Sequence, residues 1–171
     1  MPSHSAAAGA AQGATWKVMD TDPGAWSFGV WKNFVIGVWS QRGTAAAVGS
    51  LAKTSRSFKE KYTSVHIIRN GAGLPTPDGR AALVELLKER TGKLACVTVV
   101  LLGSGFWASA LQSMITGLHM VAPSGSMKLR ICETVEEAAA WLAKEHGSMT
   151  GVDVSASELR TVFADALATS K

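Results

Sequence analysis

Apolar and polar positions change their period along the chain, and each change marks an element. Trp16, Val18 and Asp20 alternate with Lys17 and Met19, and Thr21-Asp22-Pro23-Gly24 follows with turn residues, which predicts a strand and a turn. Ala25–Trp31 and Phe34–Ser40 are rich in Trp, Phe, Val and Ile around the polar pair Lys32-Asn33, the pattern of two antiparallel strands. From Gly43 to Tyr62 the spacing turns helical, with Ala47, Val48, Leu51, Ala52, Phe58 and Tyr62 on one side.

Beyond Ser64, strand and helix alternate. Val65–Arg69 reads as a β-branched strand and Gly71–Leu74 as a loop. Thr76-Pro77 has the hydroxyl N-cap and first-turn proline of a helix that places Ala82, Leu83, Leu86 and Leu87 on one face and closes near Gly92. Ala95–Leu102 is apolar except for Thr98, as expected of a central strand covered on both faces. Phe106–Val121 predicts a helix and Lys128–Cys132 a strand. Thr134 with Glu137 then has the capping-box spacing before a helix at Val135–Glu145. Gly147–Val154 reads as a linker. Ser155 and Glu158 repeat the box before a last helix striped by Leu159, Val162, Phe163, Ala166 and Leu167. The order predicts an α/β fold: a mixed sheet with an antiparallel N-terminal meander and parallel crossover strands covered by helices, plus a C-terminal helix.

With 171 residues the chain has the length of one domain. Apolar residues make up 47% and charged residues 18%, which excludes a wholly disordered chain. Residues 1–14 hold no Lys, Arg, Leu, Ile, Val or Phe, so they read as a disordered N-terminal arm and not as a signal peptide. The α/β domain is expected over 15–147, with linker and amphipathic helix at 148–171. Leu94–Met127 is broken by Gly103, Gln112, His119 and Pro123 before any membrane span is complete, so a cytoplasmic protein is expected. The formal charge of +4 is too small and scattered to imply a nucleic acid; Lys53, Arg56, Lys59 and Lys61, with Glu60 among them, read as a solvated face. Cys96 and Cys132 lack paired-ligand spacing and read as reduced, buried thiols that neighbouring strands could bring near each other; no metal or cofactor is expected.

From Trp16 to His146 the order of elements resembles the STAS domain, in particular its SpoIIAA-like bacterial branch. The resemblance is carried by the opening strand pair, the strand–loop–helix at Val65–Leu87, the strand Ala95–Leu102, and the strand and helix at Leu129–Leu142 with Thr134-Val135-Glu136-Glu137-Ala138. It implies a non-enzymatic regulatory module that docks a protein partner or forms a homo-oligomer. The family's phosphorylation loop corresponds to Thr76-Pro77-Asp78-Gly79, where Asp78 stands in place of the switchable Ser and Thr76 is the remaining hydroxyl.

Two further features bear on function. Gly103-Ser104-Gly105, between a buried strand and a helix start, could hold an anionic or lipid-like ligand on its free amides, although the third glycine of a dinucleotide loop is missing. Ser104 lacks the glycines of a nucleophile elbow, and nothing sets His66 or His119 beside a nucleophile and an orienting acid, so no enzyme is expected. The helix Phe106–Val121 is apolar around most of its circumference and needs cover from the C-terminal helix, another protomer or a partner. Trp26, Trp31, Trp107, Leu111 and Phe163 are the expected interface anchors.

Overall fold

The structure is a computed structural model and describes residues 15–121 and 126–171. A six-stranded sheet runs in the chain order β1 (Lys17–Asp22), β2 (Trp26–Trp31), β3 (Phe34–Trp39), β4 (Tyr62–Arg69), β5 (Leu94–Leu102) and β6 (Lys128–Cys132). The first three strands are antiparallel, and β3 through β6 are parallel. The mixed α/β architecture expected from the alternation is therefore present. The arm over residues 1–14 lies outside the described residues.

Because the parallel strands advance in one direction, crossovers of one hand place their helices on one face. These are α1 (Ala45–Ser55), α2 (Pro77–Glu89) and α3 (Phe106–Val121). After β6 the chain turns to the other face, where α4 (Val135–Thr150) and α5 (Ala156–Thr169) pack. Strand alternation feeds both layers. Phe34, Ile36 and Val38 point to α4 and α5, whereas Val35 and Trp39 point to the crossover helices.

Three boundaries depart from the apolar pattern. α1 ends at Ser55, and Tyr62 belongs to β4; the helical spacing of Phe58 and Tyr62 arises because their rings stack across the connection at 5.1 Å. β4 begins three residues earlier than its β-branched run. The hydroxyls of Thr63 and Ser64 are buried there, each bonded to an imidazole, which removes the penalty of placing them in a central strand. α4 runs through Gly147 to a left-handed cap at Gly151, whose N–H bonds the Gly147 carbonyl at 2.8 Å. Gly147 is needed because the Asp153 carboxylate sits 2.3 Å from where a Cβ would stand.

The terminal helix shares the core of the domain. Leu159, Val162, Phe163 and Ala166 are fully buried against β3–β5 and α4, and the Arg69 guanidinium donates to the carbonyls of Leu167 and Ser170. This placement corrects one expectation: α5 lies across the sheet from α3 and does not cover it. Among the described residues no helix is long and apolar enough to cross a membrane.

Candidate functional site

On the crossover face, strand periodicity lines up Tyr62, Ser64, His66 and Ile68 of β4 under the helices, a row about 20 Å long at roughly 3.3 Å per residue. Leu51 of α1, Leu83, Leu86 and Leu87 of α2, and Leu111, Met114, Ile115, Leu118 and His119 of α3 close over this row. They leave a cavity of about 120 Å³, whose floor is completed by Trp39, Val97, Val99 and Leu129. Among the described residues no Asp, Glu, Lys or Arg lines it. In size, and in the aliphatic and aromatic carbons that make up most of its lining, it is comparable to the engineered cavity of about 150 Å³ that binds benzene.

The cavity exists because α3 sits high on the sheet. Of its sixteen residues only Leu111 is buried. Phe106, Met120 and Val121 are 90%, 80% and 64% exposed. The helix starts after Gly105, held at φ +83, and Gly103 leaves room for the Asn70 side chain, whose Oδ1 is 2.6 Å from the position of a Cβ.

Within this apolar lining stands a chain of three polar groups. Trp39 Nε1–H donates to His66 Nδ1 at 3.2 Å, and His66 Nε2 lies 2.9 Å from Ser64 Oγ. An indole N–H can only donate, so Nδ1 must accept and the proton of the neutral ring must sit on Nε2, which donates to Ser64. Burial pushes the imidazole down to about 4, so it is uncharged at neutral pH. The same direction disarms the pair as a nucleophile. A base would need a free lone pair on Nε2 and a proton on Nδ1, and that proton would face the Trp39 N–H. No carboxylate is present to reverse the order. On the opposite wall, His119 Nδ1 is buried without a hydrogen-bond partner.

The residues singled out from sequence fall in several places. Gly103, Ser104 and Gly105 line a separate, polar depression together with Glu133 and Glu137. An anion at the turn would face these carboxylates, one of which, Glu137, is paired with Arg130 at 3.0 Å. Thr76 caps α2, accepting from Gly79 N–H at 3.2 Å, and its one hydroxyl proton goes to the Asp78 carboxylate, with the Gly43 carbonyl 3.2 Å from the same oxygen. The Asp78 carboxyl is held below its ordinary range by Thr76 and the Gly79 amide. Both residues serve as capping groups.

Of the expected interface anchors, Trp31, Leu111 and Phe163 are buried in the chain's own core at 7%, 1% and 0% exposure, so none is available to a partner. Trp26 stacks on Phe28 at 4.7 Å, and Trp107 packs half-buried over the crossover-face core. Cys96 and Cys132 are buried and free, but they do not meet: Val100 pairs with Cys132 while Cys96 pairs with Lys128, four residues away. In the basic run, Arg56 forms a two-pronged ion pair with Glu89 at 2.7 Å. Among the described residues no group of three or more His, Cys, Asp and Glu is placed to hold a metal ion.

The sequence did contain one cue to the cavity, because Ser64-x-His66 on a strand puts both side chains on one face. Trp39 and the α3 wall reach that face only through the fold. Compared with family models, curated proteins and solved structures, the chain finds no match.

Proposed function

We propose that this protein is a non-enzymatic binding module that holds a small, largely apolar molecule in the cavity beneath α3. The observation that carries this reading is the cavity itself, walled by β3–β6 and three helices, free of charged side chains, and closed by a helix with a single buried residue. Burying a benzene-sized molecule there removes its apolar surface from water at about 25 cal/mol per Å² and restores contacts the lining lacks. The test is a thermal-shift and ligand-observed NMR titration with ethylbenzene, comparing the wild type with Ile115→Trp, which fills the space from α3. Binding by the wild type and its loss in the variant supports the reading; equal behaviour of the two chains rejects it.

A second reading, the STAS-like docking module, is favoured by the outer side of α3, where Phe106, Met120 and Val121 are exposed. Light scattering of the wild type and of Phe106→Glu separates the two. A drop in oligomer size with ligand binding intact supports docking by that surface.

A further inference from the structure

We propose that the cavity selects an uncharged ligand carrying a hydrogen-bond acceptor, such as a carbonyl or ether oxygen, and that the Ser64 hydroxyl receives it. This rests on the cavity reading above and adds the chemical class of the occupant.

The argument follows from the direction of the polar chain. Trp39 must donate to His66 Nδ1, so His66 must donate from Nε2 to Ser64 Oγ. The Ser64 oxygen is thereby occupied as an acceptor, while its own proton has no acceptor among the described residues. Ser64 is 5% exposed and lines the cavity, so its proton has little solvent to meet. A buried donor without a partner is costly, and a ligand oxygen placed against it recovers that cost. His119 Nδ1, unpartnered on the facing wall, gives the cavity a second polar point.

The charge of the ligand follows from the rest of the lining. A carboxylate would obtain the Ser64 hydrogen bond but no Lys or Arg, and an ammonium would find no carboxylate, because among the described residues no Asp, Glu, Lys or Arg faces the space. Stripping either ion of water without a counter-charge is disfavoured far more strongly than one hydrogen bond is favourable. A pure hydrocarbon fits but leaves the Ser64 proton unused.

The near-isosteric trio ethylbenzene, acetophenone and benzoate tests this by ligand-observed NMR titration at neutral pH against the wild type and Ser64→Ala. We expect acetophenone to bind the wild type at least as tightly as ethylbenzene, with benzoate weakest. Ser64→Ala should shift the ratio of the first two against acetophenone by about five- to tenfold, the worth of one hydrogen bond. Tighter binding of ethylbenzene or benzoate than of acetophenone by the wild type overturns the proposal, whether or not the variant folds, and so does an unchanged ratio in a folded variant. If all three fail to bind, the cavity reading falls and this one with it; if ethylbenzene binds more tightly than the ketone, only the inference falls.

Discussion

Lowering the pH from 7.5 to 5.0 is expected to remove about 4 kcal/mol of stability, and two histidines supply it. Burial holds His66 and His146 at about 4, below the ordinary 6.5, with Lys32 adding to the shift at His146. His66 Nδ1 must accept from Trp39, which bars a proton there, and His146 is held uncharged by its burial. Asn33 donates through Nδ2 to the Lys61 carbonyl, so its Oδ1 must accept from His146 Nε2 at 2.8 Å, and His146 Nδ1 takes the Thr63 hydroxyl at 2.7 Å. Between pH 6.5 and 4 the unfolded chain binds protons that the fold refuses, so stability rises with pH across this window. The contribution is complete above 6.5 and lost progressively toward 4. At 1.36 kcal/mol per pKa unit, each histidine costs about 2 kcal/mol at pH 5.0. The sum is a large part of the roughly 5–15 kcal/mol that holds an ordinary domain together. The carboxyls held low, Glu158 at about 2 together with Glu137, Asp78 and Glu89, contribute stability that is lost only as pH falls below the ordinary carboxyl range near 4.5. The interval down to pH 5.0 therefore isolates the imidazoles. Urea melts at the two pH values give the free-energy difference, and imidazole ¹⁵N NMR gives each ring's titration and tautomer. A difference under about 1 kcal/mol, or either ring titrating near 6.5, would refute the reasoning.

Other expectations follow from single contacts. Leu111→Ala removes the one buried anchor of α3 and is expected to cost about 2–5 kcal/mol, with hydrogen exchange accelerating in α3 before β5. Gly79→Ala, normally worth about 1 kcal/mol in favour of a helix, should instead destabilise in a urea melt. Its Cβ would stand 2.1 Å from the Gly43 carbonyl oxygen that accepts from Thr76 N–H. Trp39→Phe leaves His66 Nδ1 without its donor, at about 1–3 kcal/mol, and ¹⁵N NMR should show the ring losing its fixed Nε2–H form.

Most of the architecture was legible because it follows from local period and punctuation. The hydroxyl caps at Thr76, Thr134 and Ser155 all accept from the amide three residues on, and the full box closes at Ser155 with Glu158. The apolar run of β5 is covered on both faces, as its composition implies. What period could not give was the side of the sheet on which each helix lies. The stripe of α5 and the greasy surface of α3 look like natural partners, yet the crossovers hold α3 with α1 and α2 while the turn after β6 carries α4 and α5 to the other face. Polar residues misled for a related reason. Thr63 and Ser64 stand outside the strand expected at Val65–Arg69, and what admits them to β4 is the imidazoles brought in from α4 and from two residues along the same strand.

The candidate site was hidden by the same separation, and its chemistry depends on a direction that no spacing encodes. A serine and a histidine two residues apart on a strand will always share a face, so their proximity alone discriminates nothing. The discriminating group is Trp39, on the neighbouring strand, where Gly37 pairs with His66 and the parallel register brings the indole within reach of the ring. Had a carboxylate stood there, Nδ1 would carry the proton and Nε2 could accept from Ser64, the arrangement of an activated nucleophile. An indole reverses both bonds: the histidine becomes a donor, the serine proton is turned outward, and the cavity presents a hydrogen-bond donor in place of a nucleophilic oxygen. The direction of both hydrogen bonds at this site thus follows from one side chain that can donate a proton in a hydrogen bond and cannot accept one.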